Sequence, residues 1–321
     1  MNPYHYQDNT SKANTSFNLE TSSWISYSIQ FPAGIKTHYI EDNCVKGEYY
    51  QPKGVNTTPL VILVHGMGDM SAVPCRFLAR ALAKRKIACF VLYLVTHSVR
   101  MPESIRNRLP ALTDDEWFEV YQLSVTDIRQ VVDWASSRPE IDSHKIAVFG
   151  ISLGGFVSTI VMGIDKRIKA GVIVVAGGNA EKIARLSKNK TYRNQRSEFE
   201  YQQIQRSYSA YLAEVDEKGF ENVVPPRRSF LIDPLTYASY LRERPVLMMN
   251  ALRDKYIPQE VALDFWRASG KPTIRWFPTG HASIWLFYPA IQRETLFFLR
   301  TNLLQNGVRK QFSRMLPRCI L

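Results

Sequence analysis

The sequence predicts an α/β protein in which a mostly parallel central sheet is flanked by helices on both faces. Three observations predict this class: apolar runs recur along the chain, amphipathic helical patterns separate them, and a glycine-rich turn with a central serine follows the third run. The runs span residues 59–64, 88–94, 145–149, 171–175, 245–250 and 273–277. Runs that are apolar throughout are typical of parallel strands, because helices cover both faces of such a sheet.

The remaining elements can be placed in chain order. Residues 24–31 alternate in polarity, residues 32–34 favour a turn, and residues 37–50 are again extended, which predicts an opening hairpin. Helical periods follow the first, second, third and fifth runs. They cover residues 73–82, 117–135, 153–162 and 258–268.

Two segments interrupt this rhythm. Residues 178–244 are rich in Lys, Arg, Gln and Tyr, and a structureless loop of this length is uncommon in a compact domain. We therefore predict a helical cap, inserted after the strand that ends near residue 176. A shorter polar insert covers residues 96–116. Residues 1–23 are predicted to be a flexible N-terminal extension, which leaves 24–321 as one domain.

The composition is that of an ordinary globular protein, with 45% hydrophobic and 22% charged residues and a net charge of +12. The basic excess permits contact with nucleic acid or anionic lipid without requiring it. Residues 1–23 lack the apolar core of a secretory signal, and no apolar stretch is long enough to span a bilayer. The sequence thus favours a cytoplasmic protein with no nucleic-acid partner and no stable membrane insertion. The basic and apolar segment 307–321 could touch anionic membranes, although a docked helix or a frayed tail is the alternative.

The turn after the third run carries the motif G-x-S-x-G, here Gly150-Ile151-Ser152-Leu153-Gly154. A serine at the apex of a tight strand-to-helix turn projects its hydroxyl clear of the sheet. Its neighbours must be small, because the strand and helix backbones nearly touch there. The alternative is a serine that only caps the helix. The strand–turn–helix context favours Ser152 as a nucleophile, with Gly150 and Gly154 as the small residues of the turn.

A serine nucleophile needs a general base and an acid that orients it. His281 follows the last predicted strand, at the edge of the sheet where catalytic groups gather, and it is the predicted base. Asp254 follows the fifth run in the chain order serine, acid, histidine. Asp233 and Glu260 are weaker candidates for the acid, and a surface ion pair is the alternative role for Asp254.

An acyl-transfer site also needs backbone donors for a developing oxyanion. The sequence predicts the N–H of Leu153 and that of Met67, with Gly68 as the alternative to Met67. His65 is expected to fix this loop by hydrogen bonds. The glycines of the loop also resemble a dinucleotide fingerprint, but no acidic residue ends the next run. We therefore expect no cofactor, and because none of the four cysteines is in a C-x-x-C pair, no metal is expected either.

In this order and at these strand ends, the motifs resemble the α/β-hydrolase superfamily, specifically its serine-esterase and dienelactone-hydrolase-like branch. The resemblance covers about residues 55–304 and rests on His65-Gly66-Met67-Gly68, Gly150-Ile151-Ser152-Leu153-Gly154, Asp254 and His281. It implies an α/β-hydrolase fold and a serine hydrolase of carboxylesterase type, which cleaves small-molecule esters through an acyl-enzyme. Two features depart from the family. Dienelactone hydrolases proper use a cysteine nucleophile, and the insert 178–244 matches no cap assigned to a subfamily.

Other functions use the same scaffold. A peptidase, an acyltransferase and a non-catalytic ligand-binding homologue remain as alternatives. A peptidase would usually add a large propeller domain, and an idle homologue would usually have lost a triad residue. The sequence therefore favours the esterase.

The substrate pocket is the least defined part of the prediction. The cap is expected to close over Ser152, and Met70, Trp285 and Phe287 could line the pocket. Packing in the core is the alternative for the aromatic residues. The basic residues of the cap suggest a preference for anionic or polar esters, against the alternative of solubilising charges. They are Lys182, Arg185, Lys188, Lys190, Arg193 and Arg196.

Overall fold

The computed structural model describes residues 2–68, 72–188 and 196–304. Within these residues, nine strands form one sheet in the order β1-β2-β3-β5-β4-β6-β7-β8-β9. The strands are β1 (Asn14–Glu20), β2 (Trp24–Pro32), β3 (Cys44–Pro52), β4 (Thr58–Val64), β5 (Ala88–Tyr93), β6 (Ile141–Ile151), β7 (Ile168–Val174), β8 (Val246–Ala251) and β9 (Thr273–Phe277). The first three strands and β5 pair antiparallel, and every pair from β5 to β9 is parallel.

Helices cover both faces of this sheet. They are α1 (Val73–Ala83), α2 (Glu103–Arg106), α3 (Asp114–Ser136), α4 (Leu153–Ile164), α5 (Ala180–Leu186), α6 (Glu198–Lys218), α7 (Gln259–Ala268) and α8 (Tyr288–Leu299). Side chains of α3, α4, α6 and α7 pack in one core cluster, and those of α1 and α8 pack in a second cluster on the opposite face. The predicted α/β class and the mostly parallel sheet are confirmed.

The strand β4 explains why apolar runs predicted this architecture. Its side chains are buried along its whole length. Leu60, Ile62 and Val64 belong to the first core cluster, whereas Val61 and Leu63 belong to the second. Because successive side chains of a strand point to opposite faces, a strand between two helical layers is apolar on both faces, as β4 is from Pro59 to Val64.

The N-terminal segment 1–23, predicted as a flexible extension, has ordered contacts in the structure. Its strand β1 pairs with β2 along the edge of the sheet, although all of its side chains are exposed. Tyr4 is fully buried, and its hydroxyl donates a hydrogen bond of 2.6 Å to the carbonyl oxygen of Leu231. The polar composition did not predict this arrangement, because β1 is held by backbone hydrogen bonds and the segment before it by a few contacts, chiefly those of Tyr4 and Tyr6.

The insert after β7 is helical, as predicted. It contains α5, α6 and short 3₁₀ segments, of which Arg228–Ile232 packs on α3 and Pro234–Leu241 packs on α4 and α7. The ring of Tyr208 on α6 lies 4.3 Å from that of Phe230, and its hydroxyl lies 3.1 Å from the Thr236 hydroxyl. The described part of the insert therefore flanks the helical layer that contains α4, the helix behind Ser152.

Candidate active site

Ser152 lies between the end of β6 and the start of α4, in an unusual backbone conformation. Its φ is 51° and its ψ is −115°, a region that residues with a side chain rarely adopt. Such a conformation costs about 1–3 kcal/mol and persists only where its surroundings enforce it. Here the Ser152 N–H donates to the Val174 carbonyl oxygen at 2.9 Å, and the Ser152 carbonyl accepts from the Phe156 N–H at 3.0 Å. The turn thus holds the serine at the carboxyl end of the sheet.

Gly150 and Gly154 allow this turn to form. A Cβ atom on Gly154 would lie 2.3 Å from the Val64 carbonyl oxygen, and one on Gly150 would lie 2.3 Å from the Gly154 carbonyl oxygen. Both distances are far below van der Waals contact. The motif therefore needs glycine at both positions, because a side chain would force α4 away from β4 and β6.

The structure brings Ser152, His281 and Asp254 into one hydrogen-bonded chain. The Nε2 atom of His281 lies 3.0 Å from the Ser152 Oγ, and its Nδ1 atom lies 2.7 Å from the Asp254 Oδ2. With Nδ1 protonated and donating to the carboxylate, Nε2 is free to accept the serine proton. The aspartate side chain is almost completely buried, whereas the histidine is partly exposed. The three groups can act in sequence on a molecule that enters from solvent.

Two short loops hold the acid and the histidine in place. The Oδ1 atom of Asp254 accepts hydrogen bonds from the Tyr256 and Ile257 N–H groups, at 2.8 and 2.9 Å. The loop after β8 is tied to the loop after β9, because the Arg253 N–H donates to the Thr279 carbonyl at 2.8 Å. Oδ2 of Asp254 is thereby directed toward the imidazole.

The two weaker candidates for the acid have other partners. Asp233 accepts backbone hydrogen bonds from Asn179 and Ala180 within the insert, and Glu260 pairs with Lys182. The structure thus gives the aspartate on the loop after β8 the position beside the imidazole.

The predicted oxyanion loop passes directly beside the serine. A Cβ atom built on Gly66 would lie 3.3 Å from the Cβ of Ser152, so the backbone of this loop and the serine are neighbours. Gly68 has a φ of +108°, which favours glycine. Leu153, the other predicted donor, is the first residue of α4. Leu153 directly follows Ser152, and Met67 and Gly68 directly follow Gly66; their role as backbone donors stays a prediction.

His65 fixes this loop to the neighbouring strand. It is fully buried, its Nδ1–H donates to the Gly66 carbonyl at 2.7 Å, and its Nε2 accepts from the Leu94 N–H at 3.1 Å. Burial, followed by the nearby His97, lowers the pKa of His65 from 6.5 to about 3. The imidazole therefore stays neutral and acts as a structural link, as the sequence predicted.

The depressed pKa of His65 predicts a pH dependence of stability. Between pH 6.5 and pH about 3 the unfolded chain binds a proton at His65 and the folded chain does not. Stability from this group is fully present above pH 6.5 and falls by about 1.4 kcal/mol per pH unit as the pH is lowered toward 3. Urea unfolding at pH about 7 and about 5 should show the wild type losing about 2 kcal/mol more than His65→Asn. Equal losses would contradict the prediction.

The loop after β5 contributes Arg100 to a buried ionic network that the sequence did not predict. Arg100 is completely buried and donates to the Asp127 Oδ2 at 2.6 Å, to the Tyr93 carbonyl at 3.0 Å and to the Asp42 carbonyl at 2.7 Å. The Oδ1 of Asp42 accepts from the Thr96 N–H at 2.8 Å. Burial raises the pKa of Asp42 to about 6 and that of Asp127 as well, against the lowering effect of Arg100. Because Arg100 lies in a polar insert, the sequence pattern did not predict its burial.

Removal of this arginine is expected to be strongly destabilising. Arg100→Met would leave two buried carboxylates without their cation, which costs about 3–5 kcal/mol of unfolding free energy in comparable buried pairs. Urea denaturation measures this loss, with Arg106→Met as the exposed control, expected to change stability by less than about 0.5 kcal/mol. Adding Asp42→Asn and Asp127→Asn to Arg100→Met should recover part of the loss. A loss no larger than that of the control would overturn the prediction.

Of the three residues predicted to line the substrate pocket, the structure describes Trp285 and Phe287. Trp285 and Phe287 are partly buried and pack against the second core cluster, with the Phe287 ring 5.5 Å from that of Phe277. This position is the one that the packing alternative predicts. Met70 lies outside the described residues. Met67 of the predicted oxyanion loop packs against a third apolar cluster, which includes Val95 and Met101.

Four of the six predicted basic residues of the insert lie in the described ranges, and three of them, all but Lys188, form ion pairs with acidic side chains. Lys182 pairs with Glu260 and Asp264 on α7, at 2.5 and 2.6 Å. Within the insert, Arg185 pairs with Glu198 at 2.6 Å, and Arg196 pairs with Glu181 at 3.1 Å. Lys190 and Arg193 lie outside the described residues. The observed pairs favour a structural role for these cations over recognition of an anionic ester.

Comparisons with known proteins agree with this fold. A family model described as "alpha/beta hydrolase fold" matches residues 59–286. Acetyl xylan esterase from Paenibacillus sp. R4 is similar in structure, with a TM-score of 0.65 at 18% identity over 91% of this chain and 89% of that chain. Acetyl Xylan Esterase 1 from Thermoanaerobacterium sp. JW/SL YS485 is also similar, with a TM-score of 0.61 at 18% identity over 91% of this chain and 90% of that chain. A cold-adapted esterase from an Arctic intertidal metagenomic library has a TM-score of 0.55 at 14% identity over 90% of this chain and 99% of that chain. Curated protein sequences gave no match.

Proposed function

The chain belongs to the α/β-hydrolase-fold family, and from that membership we propose that it is a serine hydrolase that cleaves carboxylic esters through an acyl-enzyme intermediate. The observation that carries the proposal is the hydrogen-bonded chain from Ser152 through His281 to Asp254, with a serine in a strained turn. The esterase names of the structural neighbours favour an ester over other acyl substrates.

The first half of the reaction forms the acyl-enzyme. The Oγ of Ser152 attacks the ester carbonyl while its proton moves to the Nε2 of His281. The carboxylate of Asp254 holds the imidazole in the required tautomer and stabilises the imidazolium. Backbone N–H groups of Leu153 and of Met67 or Gly68 stabilise the tetrahedral oxyanion. When the intermediate collapses, the C–O bond to the alcohol breaks and His281 returns the proton to the leaving alkoxide.

The second half releases the acid. Water attacks the acyl carbonyl while His281 accepts a proton from it, and a second tetrahedral intermediate forms at the same oxyanion site. Its collapse expels the Ser152 oxygen, which regains its proton from His281. The carboxylic acid leaves and the hydrolase is restored.

A fluorophosphonate probe and a panel of p-nitrophenyl esters test this proposal. The probe should modify the wild-type protein at Ser152, as located by mass spectrometry of the labelled peptide, and the esters should be hydrolysed with a preference that reports the size of the acyl pocket. A folded protein that resists the probe and hydrolyses no ester would instead support the non-catalytic homologue. Faster turnover of peptide amides than of matched esters would support the peptidase.

A further inference from the structure

One exposed face combines cations, most of which belong to no ion pair of the described residues, with exposed apolar side chains. We call it the α1–α8 face. It comprises Phe77 and Arg80 of α1, Lys84 and Arg85 that follow α1, Arg293 and Phe297 of α8, and Arg300 and Leu304 that follow α8. The ring of Phe77 lies 6.5 Å from that of Tyr288, so the two helices are neighbours. Arg85 shares a groove of about 510 Å³ with Arg293, Phe297 and Arg300.

The charge on this face is strongly one-sided. The sequence has no Asp or Glu between residues 71 and 102, and Glu294 is the only acidic residue from 270 to 321. That carboxylate accepts a hydrogen bond from Arg275 at 3.2 Å and forms an ion pair with Arg293 of the face at 3.6 Å. Among the ion pairs of the described residues, none includes Arg80, Lys84, Arg85 or Arg300. This contrasts with the paired cations of the insert.

Apolar side chains are interspersed with these cations. Phe297 is 62% exposed and Phe77 is 53% exposed, and Leu304 is exposed at the end of the same stripe. Positions 293, 297, 300 and 304 recur at intervals of three and four, which places them on one side of a helical segment. The guanidinium of Arg80 lies 5.7 Å from the centre of the Phe77 ring.

We propose that the α1–α8 face binds the surface of membranes that contain anionic phospholipids. Each Lys or Arg near such a surface strengthens binding by about five-fold, and exposed aromatic side chains insert between the lipid headgroups. The apolar residues favour a lipid surface over duplex nucleic acid, because phosphate contacts along a duplex do not bury phenylalanine or leucine. Binding is peripheral: none of the helices in the described ranges is long and apolar enough to cross a bilayer.

The position of the face relates it to the candidate active site. The helix α1 follows the oxyanion loop, and α8 follows His281 through the 3₁₀ segment Ala282–Phe287. Both helices begin near the active-site edge of the sheet and run away from it, so the cations at their C-terminal ends lie toward the opposite edge. The inference does not rest on the proposed hydrolysis, so Ser152→Ala should bind vesicles as the wild type does.

Vesicle sedimentation tests the proposal directly. The full-length protein should co-sediment with vesicles of phosphatidylcholine and phosphatidylserine and remain in solution with phosphatidylcholine alone. Binding should weaken as sodium chloride rises from about 0.1 M to about 0.5 M, since the Debye length shortens. The combined variant Arg85→Glu, Arg293→Glu and Arg300→Glu should bind at least about 100-fold more weakly. Phe297→Ser should bind about ten-fold more weakly.

Matched controls separate the face from overall charge and hydrophobicity. Lys12→Glu, Lys36→Glu and Arg206→Glu together change the net charge by the same amount at exposed positions elsewhere, and they should lower binding far less than the face variant. Phe17→Ser and Phe199→Ser remove equally exposed rings and should leave binding unchanged. Thermal unfolding shows that each variant is folded.

Three results would overturn the proposal. The first is no binding of the wild type to the anionic vesicles. The second is an equal loss of binding in the face variant and the control variant, or a loss only when the cations of residues 305–321 are reversed. The third is tighter binding to a short DNA duplex that competes with the vesicles, which would indicate a nucleic-acid surface instead.

Discussion

Ser152→Ala is expected to lower kcat for a reactive p-nitrophenyl ester by about a million-fold, because loss of the nucleophile removes the acyl-enzyme route as a whole. The substrate should still bind with similar affinity, since alanine removes one oxygen and leaves the turn unchanged. Labelling by the fluorophosphonate probe should disappear. Stability should stay equal or rise slightly, because catalytic groups in strained sites are often unfavourable for folding.

Stopped-flow and steady-state hydrolysis assays on the purified protein measure the change in kcat. Ser209→Ala, on the exposed side of α6, is the control for substitution of a serine, and it should retain wild-type kcat and labelling. A Ser152→Ala protein with more than about one per cent of wild-type kcat would contradict a nucleophilic role for Ser152.

Asp254→Asn is expected to lower kcat by about 10⁴-fold with little change in KM. The Tyr256 and Ile257 N–H groups would hold the amide oxygen at the place of Oδ1, so the NH₂ group would face the Nδ1 of His281. The imidazole would then accept at Nδ1 and carry its proton on Nε2. In that tautomer it cannot accept the proton of Ser152.

The control for this substitution is Glu260→Gln, which changes the competing acid on α7 and removes one of the two ion pairs of Lys182, whose pair with Asp264 remains. Its kcat should remain within about two-fold of the wild type. Both kinetic constants should be measured, since a loss confined to KM would indicate a role in binding. If Asp254→Asn kept its kcat and Glu260→Gln lost it, the acid would be misassigned.

The parallel strands and the serine turn could be predicted because their physical requirements leave strong marks in a sequence. The strand β4 is apolar from Pro59 to Val64 because both of its faces are covered. The turn at Ser152 needs glycines at 150 and 154, because backbone atoms lie within 2.3 Å of where their Cβ atoms would be. The order of elements along the chain then limited the candidates for the acid and the base to residues that follow strands.

The features that escaped prediction depend on contacts between distant residues. Arg100 lies in a polar insert, and only the arrival of Asp42 and Asp127 from other elements makes its burial favourable. The strand β1 carries no apolar pattern because both of its faces are exposed. The packing of the insert beside α3, α4 and α7 likewise follows from tertiary contacts that no local period reveals.

The anchoring of Tyr4 has a practical consequence for work with this protein. Its ring packs 6.3 Å from that of Tyr237, and the nearby Tyr6 hydroxyl donates to Asp133 at 2.6 Å, so the first residues connect the insert to α3. A chain trimmed to the region matched by the family model would omit these residues, leave a gap beside Tyr237 and remove one of the two hydroxyl donors to the Leu231 carbonyl, the other being Tyr237 itself. Expression designs and affinity tags should therefore leave the residues from Asn2 onward in place.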